Sequence, residues 1–264
     1  MFVTDVRAIA PEPPSRLVHL VDANVVCGFP SPAQDYKQSE VDLNDVLLLN
    51  RQSSYVARVY DGDMPGAGIW DGDTLIFDSS VEERDGRVAV VELDGELEVK
   101  RIRVAAGGVI LESEDPGRPP VHVPELSELR VLGIVLLALH ALHPSAEWGS
   151  VLAPRGERAV DVDLNELLMP RRTSTFVLRA DGRSMQGAGI WHGDELVVDR
   201  ALRDRDGRIA VVELDSALTV KRLRVDGGGV VLSSENQSFA PIRVPELSEL
   251  FVWGLVVAVI HHVR

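Results

Sequence analysis

Ser184 and Lys221 are the two residues of this sequence whose chemistry could be combined in a nucleophilic site. A serine hydroxyl is a poor nucleophile unless a base lies beside it. The stretch 182–187 (GRSMQG) misses by one residue the G-x-S-x-G turn that accompanies a histidine base. A lysine base must be neutral, and its ordinary pKa of about 10.4 leaves about one amine in two thousand neutral at pH 7. The pKa would have to fall by roughly 3, at about 4 kcal/mol, and burial in apolar surroundings can supply this.

Lys221 lies in a segment that allows two interpretations. If residues 219–225 form a strand, alternation places Lys221 on one face with Leu223 and Val225 and turns the two intervening arginines to the other face. A lysine that shares an apolar face is a candidate for desolvation. Surface lysines, however, also cover apolar neighbours with their aliphatic stems. The pattern alone leaves both interpretations open.

An internal duplication organises the elements that must position these residues. The segment 66–70 (GAGIW) returns 121 residues later, at 187–191. The same spacing relates three further segments, 41–44 (VDLN) to 162–165, 99–101 (VKR) to 220–222, and 123–129 (VPELSEL) to 244–250. A period this long exceeds the about 20–50 residues of a solenoid repeat. The sequence therefore predicts a duplicated domain, with no insertion between corresponding parts of the two copies.

Each copy has the pattern of a small β domain. Asp94-Gly95 between the apolar segments 88–93 and 97–104 is a favoured two-residue hairpin turn, and Asp215-Ser216 takes its place in the second copy. We expect a mostly β fold of short strands and hairpins, with one or two helical turns at Leu43–Leu49 and at Leu164–Leu168. The predicted organisation is an arm at 1–27, a first copy at 28–143, a linker at 144–160 and a second copy at 161–264.

Composition and charge exclude several classes of function. A net charge of −14 argues against direct DNA binding, which needs a basic surface. The single cysteine, Cys27, excludes an intramolecular disulfide, and the seven histidines show no ligand spacing, so we expect no metal and no cofactor. The apolar runs 131–139 and 255–260 are shorter than the about 20 residues of a membrane span and are typical of buried strands. Without a secretory signal, the chain is expected to be cytoplasmic and not membrane-associated.

A set of ordered motifs resembles a known family. The motifs are 27–33 (CGFPSPA) followed by Asp35-Tyr36, then 41–44 (VDLN), 182–185 (GRSM), 193–196 (GDEL) and 218–223 (LTVKRL). In this order they resemble the UmuD/LexA-type, or S24-like, family of self-cleaving serine–lysine peptidases. The resemblance runs from Cys27 to Arg264 and covers both copies. It implies two tandem LexA/UmuD-like peptidase domains arranged as a pseudo-dimer.

The resemblance also implies an activity and its partners. Family members cleave their own N-terminal arm when a RecA filament on single-stranded DNA binds them, and the trimmed form joins an error-prone Y-family polymerase of the UmuC type. Carried over to this sequence, Ser184 is the nucleophile, neutral Lys221 is the base, and Cys27 and Gly28 flank the scissile bond. The family works as a homodimer. This chain resembles such a dimer fused into one polypeptide, and further self-association is left open.

The two copies differ at the positions that matter for this chemistry. Asp63 occupies the serine position of the first copy, whereas Lys100 keeps the lysine position. A carboxylate beside a lysine favours an ion pair that keeps the amine charged, so the first copy is predicted to be inactive. Conversely, 148–149 (WG) stands where the first copy has Cys27-Gly28, and the second copy's site is predicted to be uncleavable. The first copy is thus expected to supply the substrate and the second copy the active site.

Other classes of protein remain to be weighed. The main alternative is a non-catalytic scaffold or polymerase-accessory protein, because Asp63 indicates that one copy tolerates loss of the nucleophile. A LexA-like repressor would need a DNA-binding domain before the cleavage site, and a 27-residue arm is too short for one. A type I signal peptidase also uses serine and lysine, but it would need a membrane anchor.

Overall fold

A computed structural model describes eleven segments of the chain, and strands dominate all the larger ones. The described residues are 1–13, 17–27, 37–62, 64–114, 117–123, 129–144, 161–169, 173–214, 217–227, 229–244 and 250–264. The strands in these segments are β1 (Phe2–Ala8), β2 (Val18–Cys27), β3 (Lys37–Val41), β4 (Ser54–Tyr60), β5 (Thr74–Asp78), β6 (Val88–Leu93), β7 (Glu96–Ala105), β8 (Gly108–Glu112), β9 (Val121–Val123), β10 (Leu129–Ala141), β11 (Thr175–Gly182), β12 (Glu195–Asp199), β13 (Ile209–Leu214), β14 (Ala217–Asp226), β15 (Gly229–Ser233), β16 (Ile242–Val244) and β17 (Phe251–His262). The α-helices are α1 (Leu43–Leu47) and α2 (Leu164–Leu168), and short 3-10 helices lie at Pro65–Ala67 and Gln186–Ala188. The mostly β fold class predicted from the sequence is confirmed.

The duplication is visible in the order of the elements. The first copy consists of α1 and β4–β10, and the second copy of α2 and β11–β17, with corresponding strands offset by 121 residues or nearly so. In each copy, successive strands pair antiparallel, from β4–β5 to β8–β9 and from β11–β12 to β15–β16, except between β5 and β6 and between β12 and β13. The β6–β7 hairpin turns at Asp94-Gly95, where φ is 52° and 82°, as the two-residue turn of a hairpin requires.

Long strands close each copy by pairing with two partners in succession. β10 pairs first with β6 and then with β5, and its register shifts between Val131 and Gly133. A Cβ on Gly133 would lie 2.6 Å from the carbonyl oxygen of Asp78, so only glycine allows this close crossing. Gly254 holds the same position in β17, where a Cβ would lie 2.6 Å from Val198 Cγ1. The predicted buried strands at 131–139 and 255–260 are the central parts of β10 and β17.

The two copies meet across a pseudo-two-fold axis. β10 and β17 pair antiparallel, and Leu139 lies opposite Ile260, its own counterpart in the duplication. The GAGIW segments also pack across this boundary. Gly68 and Gly189 adopt left-handed φ values of 67° and 73°. A Cβ on Gly68 would overlap the ring of His261, and one on Gly189 would lie 3.2 Å from Trp70 Nε1. The repeated motif therefore packs each copy against the other.

The helices form the polar centre of the same boundary. Asp42 and Asp163 cap α1 and α2 by accepting hydrogen bonds from the amides of Asn44 and Asn165. Each asparagine reaches the opposite helix, since Leu43 N donates to Asn165 Oδ1 at 2.9 Å and the reciprocal bond to Asn44 Oδ1 is 3.0 Å. Each asparagine amide also donates to the opposite cap aspartate at 2.9 Å. Such reciprocity is the pattern of a self-complementary dimer interface.

The arm contributes one strand to each copy. β1 pairs antiparallel with β4 of the first copy, and β2 pairs parallel with β11 of the second copy. Between these strands, Ile9 bridges to Val162 and is buried together with it in a core shared by both copies. Of the predicted linker 144–160, only Pro144 is among the described residues, and the domain boundaries remain predictions.

The described segments lack two further kinds of feature. None of their helices is both long and apolar enough to cross a membrane. In the same part of the chain, no group of three or more His, Cys, Asp or Glu side chains is placed to hold a metal ion.

Candidate active site

The second copy brings Ser184 and Lys221 into hydrogen-bond contact. Lys221 Nζ lies 3.2 Å from Ser184 Oγ. Ser184 has no exposed surface and Lys221 is 2% exposed. Ser184 follows the end of β11, and Lys221 lies in the middle of β14. A buried amine within reach of a buried hydroxyl is the arrangement that nucleophilic catalysis by serine and lysine requires.

The alternation of β14 sends Lys221 inward. Lys221 and Leu223 are buried, whereas Arg222 turns away and donates to the carbonyl of Gly207 at 2.7 Å. The predicted apolar face is shorter than expected, because Val225 is 49% exposed beyond the end of the core. Lys221 therefore sits over the interior of the second copy, and its amine is removed from solvent.

The loop after Ser184 is held from both sides. Met185 is fully buried, and its carbonyl accepts hydrogen bonds from the amides of Ala188 and Ile190 in a tight turn. The Gly187 amide donates to the carbonyl of Glu235 at 2.8 Å, and Asn236 Nδ2 donates to the carbonyl of Arg183 at 3.0 Å. The residues 235–236 thus brace the serine loop, a role that no motif in the sequence indicated.

A strand of the arm lies between two strands of the second copy and leads toward Ser184 and Lys221. We call the space between β11 and β14 the second groove, and β2 lies in it, paired with both strands. Val26 lies opposite Asp181 on one side and Thr219 on the other. Cys27 lies opposite Gly182, two residues before Ser184. Gly28 is outside the described residues, so the predicted scissile bond begins at the last described residue of β2.

The corresponding lysine of the first copy has a different neighbour. Lys100 is 5% exposed, and its Nζ forms an ion pair with Glu98 Oε2 at 2.9 Å. Glu98 takes the place that Thr219 has in the second copy. Asp63, the predicted partner of this lysine, is outside the described residues. Sequence reasoning missed Glu98, although comparison of the two copies residue by residue shows the change from threonine to glutamate.

The first copy also holds a strand of the arm. We call the space between β4 and β7 the first groove, and β1 lies in it. Phe2 pairs with Tyr60 on one side and with Glu98 on the other. These two residues correspond to the Asp181 and Thr219 that flank Val26 in the second groove. Phe2 and Val26 therefore occupy equivalent positions.

Comparison with known proteins identifies the family to which the chain belongs. The model of the family described as Peptidase S24-like matches the chain twice, over residues 19–136 and 145–257. The chain belongs to the Peptidase S24-like family. The two matches follow the duplication, so the chain is a tandem member, and the resemblance inferred from its motifs is confirmed.

Individual relatives match one part of the chain at a time. Protein SamA of Salmonella typhimurium is 31% identical over 134 residues, which is 50% of this chain and 93% of SamA. Protein ImpA of Salmonella typhimurium is 38% identical over 110 residues, 39% of this chain and 70% of ImpA. The LexA repressor of Vibrio parahaemolyticus is 43% identical over 88 residues, 33% of this chain and 43% of the repressor. The chain thus covers less than half of the repressor and most of SamA.

Proposed function

We propose that this protein is a self-cleaving serine–lysine peptidase of the SOS response, in which the second copy cuts the arm between Cys27 and Gly28. The observation that carries the proposal is the buried contact between Lys221 Nζ and Ser184 Oγ, 3.2 Å long, beside the end of β2. Membership of the S24-like peptidase family supports the reaction type.

The reaction begins with proton transfer from Ser184 to Lys221. Neutral Lys221 Nζ accepts the proton of the Ser184 hydroxyl as Oγ forms a bond to the carbonyl carbon of Cys27. The tetrahedral intermediate collapses, the C–N bond to Gly28 breaks, and Lys221 returns the proton to the leaving amine. Water then hydrolyses the ester on Ser184, with Lys221 again taking and returning the proton. The products are the free arm and a body that begins at Gly28.

The environment of Lys221 favours the neutral amine that this mechanism needs. Desolvation penalises the charged form of a lysine. Lys221 is 2% exposed, and Leu223 on the same face of β14 is a buried apolar side chain. β2 lies along the groove and helps to exclude water from the pair.

The biological setting follows from the family resemblance. We infer that a RecA filament on single-stranded DNA stimulates the cut in the cytoplasm, and that the trimmed protein serves as accessory subunit of a UmuC-like Y-family polymerase. The similarity to a LexA repressor, SamA and ImpA supports placing the protein in this response. The net charge of −14 supports protein partners in preference to direct contact with DNA.

Self-cleavage is tested by mass determination before and after incubation with RecA, nucleotide and single-stranded DNA, and separately at alkaline pH. The expected product has lost residues 1–27. Ser184→Ala abolishes the product, and Asp63→Ala, the matched change in the first copy, leaves it intact. If the parent chain stays whole under both conditions, the alternative of a non-catalytic duplicated scaffold is correct.

A further inference from the structure

The first groove has the geometry of a peptide-binding site although its copy has Asp63 at the position that corresponds to Ser184. β1 and β2 pair with corresponding residues of the two grooves at five positions. Val3 lies opposite Val59 and Thr4 opposite Arg58, where the second groove has Val25 opposite Ala180 and Asn24 opposite Arg179. These positions continue the equivalence of Phe2 with Val26.

The two strands run in opposite directions. β1 is antiparallel to β4, and β2 is parallel to β11, the counterpart of β4. An extended backbone presents hydrogen-bonding groups on both edges in either direction, so a groove between two strands can accept both polarities. A reversed strand does not present its peptide bonds to the catalytic positions in the orientation that the second groove uses. The first groove can therefore hold an extended segment without processing it.

The side chains of β1, as well as its backbone, contact the first copy. Met1 and Val3 are 3% and 6% exposed and belong to the core cluster of the first copy. The Phe2 ring stacks on Tyr60 with centroids 5.7 Å apart, and Cζ of the Arg118 guanidinium lies 5.4 Å from the centroid of the Phe2 ring. Glu98, which forms the ion pair with Lys100, is also the β7 residue that lies opposite Phe2. Alternate side chains in pockets and a paired backbone are the features of strand addition.

We propose that the first groove is a non-catalytic docking site for an extended peptide with alternate apolar side chains, and that its occupant is the arm's own first strand, residues 2–8. Docking anchors β1, the head of the arm, on the first copy, while β2 lies in the second groove. Anchoring the head of the arm limits the positions that the rest of the arm can reach, and it thereby favours placement of Cys27 beside Ser184 of the same chain. This last consequence rests on the proposed self-cleavage, whereas docking itself does not.

The test uses the full chain with Ser184→Ala, which keeps the arm attached whether or not the parent cuts itself. Amide hydrogen exchange of residues 2–8 is expected to be slowed in this chain. Adding Val3→Asp places a charge in the buried position, and protection of residues 2–8 should fall by about tenfold or more. The matched control is Thr4→Asp, whose side chain is exposed on the same strand and which should leave protection unchanged.

A synthetic peptide of residues 1–10 supplies a second measurement. It should bind the Val3→Asp chain, whose groove is vacated, and bind the Thr4→Asp chain at least about tenfold more weakly, because there the groove is filled. If Val3→Asp does not fold, Phe2→Ala replaces it in both measurements. Equal protection of residues 2–8 in the Val3→Asp and Thr4→Asp chains, or a peptide that binds neither, overturns the docking site. Neither readout depends on cleavage, so a failure of the proposed peptidase is seen separately.

Discussion

The two copies carry a buried lysine at equivalent positions of equivalent strands, but the side chain that contacts the amine differs between them. In the second copy Lys221 contacts the hydroxyl of Ser184, and in the first copy Lys100 is tied to the carboxylate of Glu98. Both grooves contain a strand of the arm, in opposite directions. The fold buries the lysine in both copies, and we infer that the neighbouring side chains decide whether its amine can act as a base.

The comparison also shows what fusion into one chain permits. A homodimer must use one sequence for both subunits, so every change appears in both sites. Here the interface stays symmetric, with reciprocal bonds from Asn44 and Asn165, while the two grooves have diverged. Symmetry is kept where the copies bind each other and is lost where they bind the arm.

The largest expected effect comes from removing the second lysine. Lys221→Ala should reduce self-cleavage by about a thousandfold or more, because no other base is in contact with Ser184 Oγ among the described side-chain bonds. Lys100→Ala is the matched control and should reduce the rate far less, because Lys100 has no contact with Ser184. The rate is followed as loss of intact chain, and in the parent it should rise with pH as the lysine is deprotonated. A rate that drops equally in both variants would contradict the division of roles between the copies.

Introducing the first copy's carboxylate into the second copy should cause the next largest loss of self-cleavage. Thr219→Glu places beside Lys221 the group that pairs with Lys100, and we expect a loss of about a hundredfold in self-cleavage because the ion pair favours the charged amine. Thr219→Gln has nearly the same size without the charge and serves as control. Thermal unfolding of both variants checks that the fully buried position tolerates the larger side chains. The comparison between copies fails if glutamine and glutamate slow the reaction to the same extent.

The symmetric interface predicts equal costs for equivalent changes. Asn44→Ala and Asn165→Ala each remove an oxygen and an amide that bond across the boundary, and each should lower the free energy of unfolding by about 1–3 kcal/mol. The control Val46→Ala changes an exposed side chain of α1 and should cost less than about 0.5 kcal/mol. Chemical denaturation measures all three. Clearly unequal losses for the two asparagines would show that the interface is not energetically symmetric.

The smallest expected effect is a loss of folding stability at low pH. Burial by itself raises the pKa of Asp42, but hydrogen bonds from Asn165 and Asn44 outweigh it and hold the pKa below its usual value. Because the pKa is lower in the folded state, Asp42 contributes stability that is present above its unfolded pKa and is lost as pH falls through the folded value. Thermal unfolding from about pH 6 to about pH 3 should show this loss. The Asp42→Asn variant should be less stable near neutral pH and lose less on acidification, whereas parallel pH profiles would assign the acid sensitivity elsewhere.

The prediction from sequence was most successful where a pattern repeats locally. The offset of 121 residues, the hairpin at Asp94-Gly95 and the helical turn at α2 follow from the order of residue types, and the structure agrees with them. Alternation placed Lys221 on the inner face of β14, and the structure buries it. The extent of that face was overestimated at Val225, because alternation does not indicate where the core ends.

Residue types and their spacing were enough to determine the duplication, the β class and the serine–lysine pair as a candidate site, and the resemblance of the motifs indicated the family. Only the tertiary structure decided that Glu98 forms an ion pair with Lys100, that residues 235–236 brace the serine loop, and that strands of the arm lie in both grooves. The reason is physical. Periodicity reports which face of an element is buried, whereas the partner of a buried charge and the direction of an added strand depend on residues that are distant in the chain and meet only when it folds.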